Sequence, residues 1–220
     1  MKKIYLLLLA IIASHSMTYA QGLDKPWWSI RAGVNFSNLS APDYSTQFLT
    51  GYSLGAAYAY PISETIPIYI ESGLYFQKRG ARDNGFLTDA GDESKLTKHE
   101  FQIPILLGYS LPLTGLWEVH PFVGFYYSVA VDGNFEIGDT SFDPYRKEML
   151  QTLRDTQASE QQLLHRSDLG LRLGLSVVYG RYLLGFAYDG GLLNLYTPKL
   201  REVGYQALSG CFTLQAGYNF

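Results

Sequence analysis

Residues 168–179 alternate with a period of two. Leu169, Leu171, Leu173, Leu175, Val177 and Tyr179 fall on one side, and Asp168, Gly170, Arg172, Gly174, Ser176 and Val178 on the other. Successive side chains of a strand point to opposite faces, so this pattern predicts a strand with one apolar face. Eight segments bounded by turn residues read in the same way: Trp28–Phe36, Gly51–Ile62, Pro67–Arg79, Lys98–Ser110, Val119–Val131, Asp168–Tyr179, Arg181–Asp189 and Ser209–Phe220. Most are longer than the roughly five or six residues usual in soluble strands. They suit the roughly 9–11 residues of a tilted strand that crosses a bilayer.

The connections alternate in length. Ser63–Ile66, Leu111–Glu118 and the Gly180 turn are short, whereas Ser37–Thr50, Gly80–Thr97, Asp132–Ser167 and Gly190–Leu208 are long and polar. An up-and-down barrel with both ends on one side produces this regularity. The expected fold is therefore all-β: an eight-stranded antiparallel up-and-down transmembrane β-barrel with short periplasmic turns and long extracellular loops.

The second face of each strand decides between lipid and water as surroundings. Alternation alone also fits a soluble ligand carrier of lipocalin type. Here the second face is Gly and Ser with isolated charges, such as Ser29, Arg31, Gly33 and Asn35 in the first segment. That is poor material for a water-facing surface and good material for the narrow interior of an eight-stranded barrel. The apolar face then meets lipid, and closure satisfies every backbone group. Trp27, Trp28, Tyr52, Tyr60, Tyr109, Tyr179, Tyr182, Tyr188 and Tyr218 lie near strand ends and are expected to form interfacial girdles.

Composition agrees. Aromatic residues make up 15% of the 220 positions, charged residues only 17%, and there are 22 Gly. This profile excludes a disordered chain, a coiled coil and a collagen-like repeat. Lys2 and Lys3, the apolar run Ile4–Ala13 and the small-residue end Thr18-Tyr19-Ala20 read as a secretory signal peptide. The expected organisation is residues 1–20 as signal peptide and residues 21–220 as one outer-membrane β-barrel domain. Removing Lys2 and Lys3 from the 17 basic residues leaves 15 against 20 acids, a net charge of −5. That argues against nucleic acid as a partner. Cys211 is the sole cysteine, so no intrachain disulfide forms.

The segment WWSIRAGVNFSNLS resembles the opening strand of PorT-type outer-membrane β-barrels of the Bacteroidota, eight-stranded proteins of the OmpA/OmpX-like barrel class. IYIESGLYFQKRGAR, HEFQIPILLGYSLP, VHPFVGFYYSVAV, SDLGLRLGLSVVYGRYLLGFAYDGGLLNL and the closing FTLQAGYNF follow in order. The resemblance implies integral insertion in the outer membrane and supplies no shared catalytic residues. It also implies a runner-up role as an accessory component of a secretion or envelope-assembly machine. Asp132–Ser167 is longer than a typical loop of that family.

Four features are candidates for function. Phe212, Leu214, Tyr218 and Phe220 alternate at the C-terminus and resemble the signal read by the barrel assembly machinery, although an ordinary closing strand ends in the same way. Arg31, Glu71, Arg79, Glu100, Asp168, Arg172 and Asp189 share the inward parity, with Arg31, Glu71 and Arg172 near mid-strand. Unpaired buried charges are costly, so these are expected to pair, either as a plug or as a gate or proton path. His99 and His165 fall at loop-side strand ends near Asp168 and Asp189, a set that could serve a hydrolase or acyltransferase. His120 sits at the opposite end. In the third long loop, Asp143-Pro144 and the following YRKEMLQTLRDTQASEQQLL predict a short helix over the barrel mouth. Cys211 is expected to be a small packing residue.

The sequence thus predicts a non-enzymatic, non-conducting outer-membrane protein with no catalytic, cofactor or metal residues. Its expected partners are outer-membrane lipid, the assembly machinery, and a ligand or envelope partner met through the Asp132–Ser167 loop.

Overall fold

The computed structural model describes residues 25–41, 44–63, 65–84, 93–137, 140–145, 164–202 and 206–220. The expected signal peptide and the helix-forming run after Tyr145 lie outside these residues. Eight long strands make the wall: β1 (Trp27–Ala41), β2 (Gln47–Pro61), β3 (Ile68–Asn84), β4 (Glu93–Tyr109), β5 (Trp117–Ile137), β6 (Ser167–Tyr179), β7 (Tyr182–Gly191) and β8 (Leu208–Asn219). Each pairs antiparallel with its sequence neighbour, and β8 pairs with β1 from Ser29↔Asn219 to Ser40↔Leu208. The sheet is a closed eight-stranded barrel with no free edge along this seam. Three short rungs, Tyr44–Ser45, Leu111–Pro112 and Thr140–Phe142, extend β1 and β5 at their ends. A helix, α1 (Pro198–Glu202), interrupts the last long connection.

Facing follows the alternation. Ile105, Leu173 and Leu214 point outward and are 61%, 51% and 51% exposed. Their strand neighbours Pro104, Arg172, Thr213 and Gln215 are buried in the lumen. An apolar belt therefore surrounds a polar interior, the inverse of a soluble barrel and the arrangement that a bilayer requires. The belt ends in rings at the short-turn side. Trp28 lies tilted against Tyr58 and Trp117 against Tyr179, both with centroids 4.7 Å apart, and Tyr182 meets Tyr218 at 5.6 Å. Gly180 takes φ +58° in the tight β6–β7 turn, a conformation in which a side chain is strained.

Several expectations need correction. Trp27 is no girdle residue: it is buried, pointing inward against Tyr69. Trp117, assigned to a turn, opens β5 and is exposed in the girdle instead. The strands also run further than the apolar belt. β3 continues to Asn84, β4 begins at Glu93, and β5 reaches Ile137, so much of Gly80–Thr97 and the start of Asp132–Ser167 are strand. Outside the belt their outward positions turn polar, with Lys95 Nζ 3.0 Å from Glu136 Oε2. Amphipathic periodicity marks only the lipid-crossing part, and so the polar extensions read as loop. A bulge adds to this. His99 faces Asp132 but Glu100 faces Ala130, leaving Val131 as the extra residue. Val131 and Asp132 are both exposed, and the parity beyond them shifts so that Gly133 and Phe135 turn inward.

Candidate functional site: the lumen and its two ends

The interior is filled unequally. β2 lines it with Ser53, Gly55, Ala57 and Ala59, small side chains that leave room for Arg31 of β1 to reach over to Glu71 of β3. Arg31 Nη1 and Nη2 donate to Glu71 Oε1 and Oε2 at 2.7 and 2.5 Å, a bidentate pair buried on both sides. Two parallel charge-assisted bonds fix position as well as charge. Glycines admit large side chains in the same way. A Cβ placed on Gly108 would come within 2.1 Å of the Tyr69 ring, and one on Gly170 within 2.5 Å of Tyr126.

A second network centres on Asp189. Arg172, its register partner on β6, donates from Nη1 to Asp189 Oδ2 at 3.1 Å. Arg79 Nη2 donates to the same oxygen from β3. β3 and β7 lie on opposite walls, so the Arg79–Asp189 bond spans the lumen. Gln102 ties the group together, donating to Asp189 at 3.1 Å and accepting from Arg172 at 3.0 Å. Arg79 Nε lies 3.4 Å from Glu100 Oε1, and Lys98 Nζ lies 2.7 Å from Glu100 Oε2. Arg79 and Arg172 also sit over the rings of Tyr126 and Tyr75, at 5.7 and 5.8 Å from the centroids. Tyr126 donates to Asp168 at 3.0 Å, and Ser209 donates to the same carboxylate.

Both ends of this network are closed. At the short-turn end Trp27, Tyr69 and His120 pack together, with Tyr69 5.1 Å from Trp27 and 5.5 Å from His120. His120 Nε2 lies 2.9 Å from Glu118 Oε2, which also accepts from Ser110 at 2.8 Å. At the other end Leu96, Ala130, Phe135, Tyr145, Leu164 and Leu195 form an apolar lid. It is pinned by the His165 N–H to Leu195 O bond at 2.8 Å and by a bridge between Leu164 and Tyr196. The Asp143 carboxylate accepts from the Tyr145 N–H at 2.9 Å, and Arg166 lies 5.0 Å from the centre of the Tyr145 ring. Burial pushes the Tyr145 hydroxyl pKa up, so the lid carries a neutral phenol.

The predicted residues divide accordingly. Arg31 and Glu71 meet, whereas Arg172 pairs with Asp189 and not with Glu71. The rim set is not assembled. His99 lies on the outer face, stacked on Phe76 at 5.9 Å with its Nδ1 3.6 Å from Asp132, while Asp168 and Asp189 are buried inside. His165 is held through its backbone at the lid. Among the described residues no group of three or more His, Cys, Asp or Glu could hold a metal ion. Leu214 and Phe220 are exposed to the lipid side, and Phe212 packs against Tyr188 at 4.8 Å and Tyr218 against Phe220 at 5.1 Å. Cys211 is buried. Lys98, Gln77 and Gln102 escape the sequence reading, because a lysine at a strand start reads as solvated and neutral amides carry no charge signal. Their place on the inward parity of β3 and β4 is the available clue.

The family profile described as outer membrane protein beta-barrel domain matches residues 19–197. The chain belongs to this family. Solved outer-membrane proteins resemble it. A major outer membrane protein from Thermus thermophilus is 16% identical, with a TM-score of 0.51 over 89% of this chain and 100% of that one. Neisserial surface protein A is 14% identical, with a TM-score of 0.49 over 88% and 97%. Ail, the attachment invasion locus protein of Yersinia pestis, is 14% identical, with a TM-score of 0.44 over 89% and 99%. No curated protein matches at a significant level. Family and fold together make this an integral outer-membrane β-barrel, with its apolar belt in lipid.

Proposed function

We propose that this outer-membrane barrel has an interaction role, that its resting lumen does not conduct, and that it is not an enzyme. The supporting observation is the Arg79–Asp189 bond from wall to wall, flanked by the Arg31–Glu71 pair and closed by an aromatic plug and an apolar lid. Groups available to a partner then lie on the outer rim, where β3, β4 and β5 carry polar residues beyond the belt. The ligand or envelope partner meets this rim, including the Asp132–Ser167 connection. The PorT-like segments favour, as a finer reading, an accessory place beside a secretion or assembly machine. Phe212, Leu214, Tyr218 and Phe220 act as the recognition signal during assembly.

Photo-crosslinkers placed at Arg82 and Lys95 in intact cells test this reading. A discrete envelope protein captured at both positions is the expected result, and secretion components among the captures select the accessory role. Porin-sized conductance of the pure protein in planar bilayers would overturn it. Hydrolysis or acyl transfer lost on replacing His99 or His165 would move the protein to the enzymes.

A further inference from the structure

Among the described residues, the lipid-facing rows of β1, β2, β6, β7 and β8 carry no charge, and basic side chains stand on that face only on β3 and β4. There the apolar row of Leu74 and Phe76, with Ile103 and Phe101 beside it, ends at a rung made of Lys78 and His99. A second rung, Arg82 and Lys95, follows further out. On β5, Asp132 lies 3.6 Å from His99 and Glu136 3.0 Å from Lys95. No acidic side chain among the described residues pairs with Lys78 or Arg82. Two register shifts interrupt the described wall, and both fall at this level. β2 slips between Phe48 and Ser53, opposite Lys78–Gly80, and β4 slips against β5 between His99 and Glu100. Bulges re-aim side chains and gather beside functional places. From the lumen, Asn35 Nδ2 donates to Lys78 O at 3.4 Å and the Gly80 N–H donates to Ser37 Oγ at 2.8 Å, so this stretch of β3 is braced from behind.

We propose that Lys78 and Arg82 form a seat for the phosphate of an anionic lipid in the outer leaflet. Their Cα positions are about 13 Å apart on one face of β3, at the usual rise of a strand. A lysine and an arginine reaching toward each other close that span around one phosphate. Gly80, between them, has no side chain to occupy the space, and Thr97 is its register partner on β4. Arginine supplies two parallel N–H donors to phosphate oxygens, and lysine a point charge. What lies below favours a lipid over a free anion. Phe76 and Phe101, with centroids 5.3 Å apart, continue the row down into the belt and give acyl chains an apolar shelf. The long connections mark this end as the outer side. At the edge of the belt the surroundings are less polar than water, which strengthens the attraction between an unpaired cation and a phosphate. The seat requires only that the belt lies in lipid, so it is independent of the partner proposed for the rim.

Native mass spectrometry of the full mature protein in detergent micelles, titrated with phosphatidic acid or phosphatidylcholine, tests it. Wild-type protein is expected to retain phosphatidic acid about tenfold more tightly than phosphatidylcholine. Lys78→Gln with Arg82→Gln, shown folded by heat-modifiable gel mobility, should bring phosphatidic acid down to the phosphatidylcholine level. Lys95→Gln, which removes a charge already engaged by Glu136, should keep the preference. A large excess of inorganic phosphate should leave the lipid adduct in place. Should the double variant fail to fold, Arg82→Gln alone, at an exposed side chain, is expected to weaken the preference in the same direction. A wild type without preference, or a preference that survives the double variant, overturns the seat. A loss on Lys95→Gln as large as that of the double variant spreads the attraction over the whole face and likewise overturns it. Displacement by inorganic phosphate overturns a lipid as the occupant.

Discussion

Two walls of the same barrel are built on opposite plans. The wall of β3, β4 and β5 projects Tyr69, Tyr75, Arg79, Glu100, Gln102 and Tyr126 into the lumen. The wall of β7, β8 and β1 answers with Gly185, Ala187, Thr213, Gln215 and Gly33. Both have an apolar outer face and an antiparallel ladder, so neither lipid nor backbone pairing dictates the difference. The difference teaches that filling and bracing an eight-stranded lumen is delegated to one side. The other side contributes space and single anchors, chiefly Asp189 and Arg31.

If that division holds, the largest loss comes from removing the anchor that both arginines share. Asp189→Ala takes the carboxylate from Arg172 and leaves Arg79 to Glu100, and is expected to lower unfolding free energy in bilayers by about 3–5 kcal/mol, measured by urea titration of heat-modifiable mobility. Next comes Glu71→Ala, which strands Arg31 alone. About 3 kcal/mol is expected in the same titration, at the lower end of the cost of breaking a buried pair. A loss near zero would mean that Arg31 has another partner and that the two walls are less dependent than the geometry indicates.

Outside the lumen the walls should be indistinguishable. Leu173→Arg puts a charge in lipid and is expected to cost about 2–4 kcal/mol near the midplane. Ser176→Arg, facing inward at comparable depth, should impair refolding yield less. The reverse order would invert the facing of β6. The smallest effect is expected on the sparse wall itself. Thr213→Val deletes one neutral bond to Asn35, 2.9 Å long, and should cost about 0.5–1.5 kcal/mol. If it rivals Asp189→Ala, the comparison between the walls fails.

How far the chain reveals this in advance depends on the kind of signal. Period-two alternation locates all eight strands and their facing, because lipid on one side forces it at every step. Inward parity gathers the charged residues for the same reason. It does not show which will pair: Arg172 and Asp189 are register partners, and register across the β6–β7 hairpin follows from the Gly180 turn. The bulge at Val131 is silent, since one inserted residue looks like a lapse in the pattern. The polar strand extensions go unseen where apolar residues stop marking one face. Asp168 and Asp189 look like rim residues until those extensions move the rim outward. The apolar lid joins Leu96, Leu164 and Leu195 from three separate stretches, a grouping that no local pattern reveals.

The seam between β1 and β8 has a consequence for biogenesis. Ser29 pairs with Asn219, so the ladder that closes the cylinder joins positions far apart in the chain. Contacts of such long sequence separation form slowly, because the loop entropy is lost before the contact rewards it. Until β8 arrives, β1 presents an unpaired edge beside a face made of Trp28, Ile30 and Val34. An intermediate of that kind is prone to add strands from other chains. The twelve residues of β8 therefore act as the timing element of folding, and deleting them should yield aggregates in place of a seven-stranded barrel.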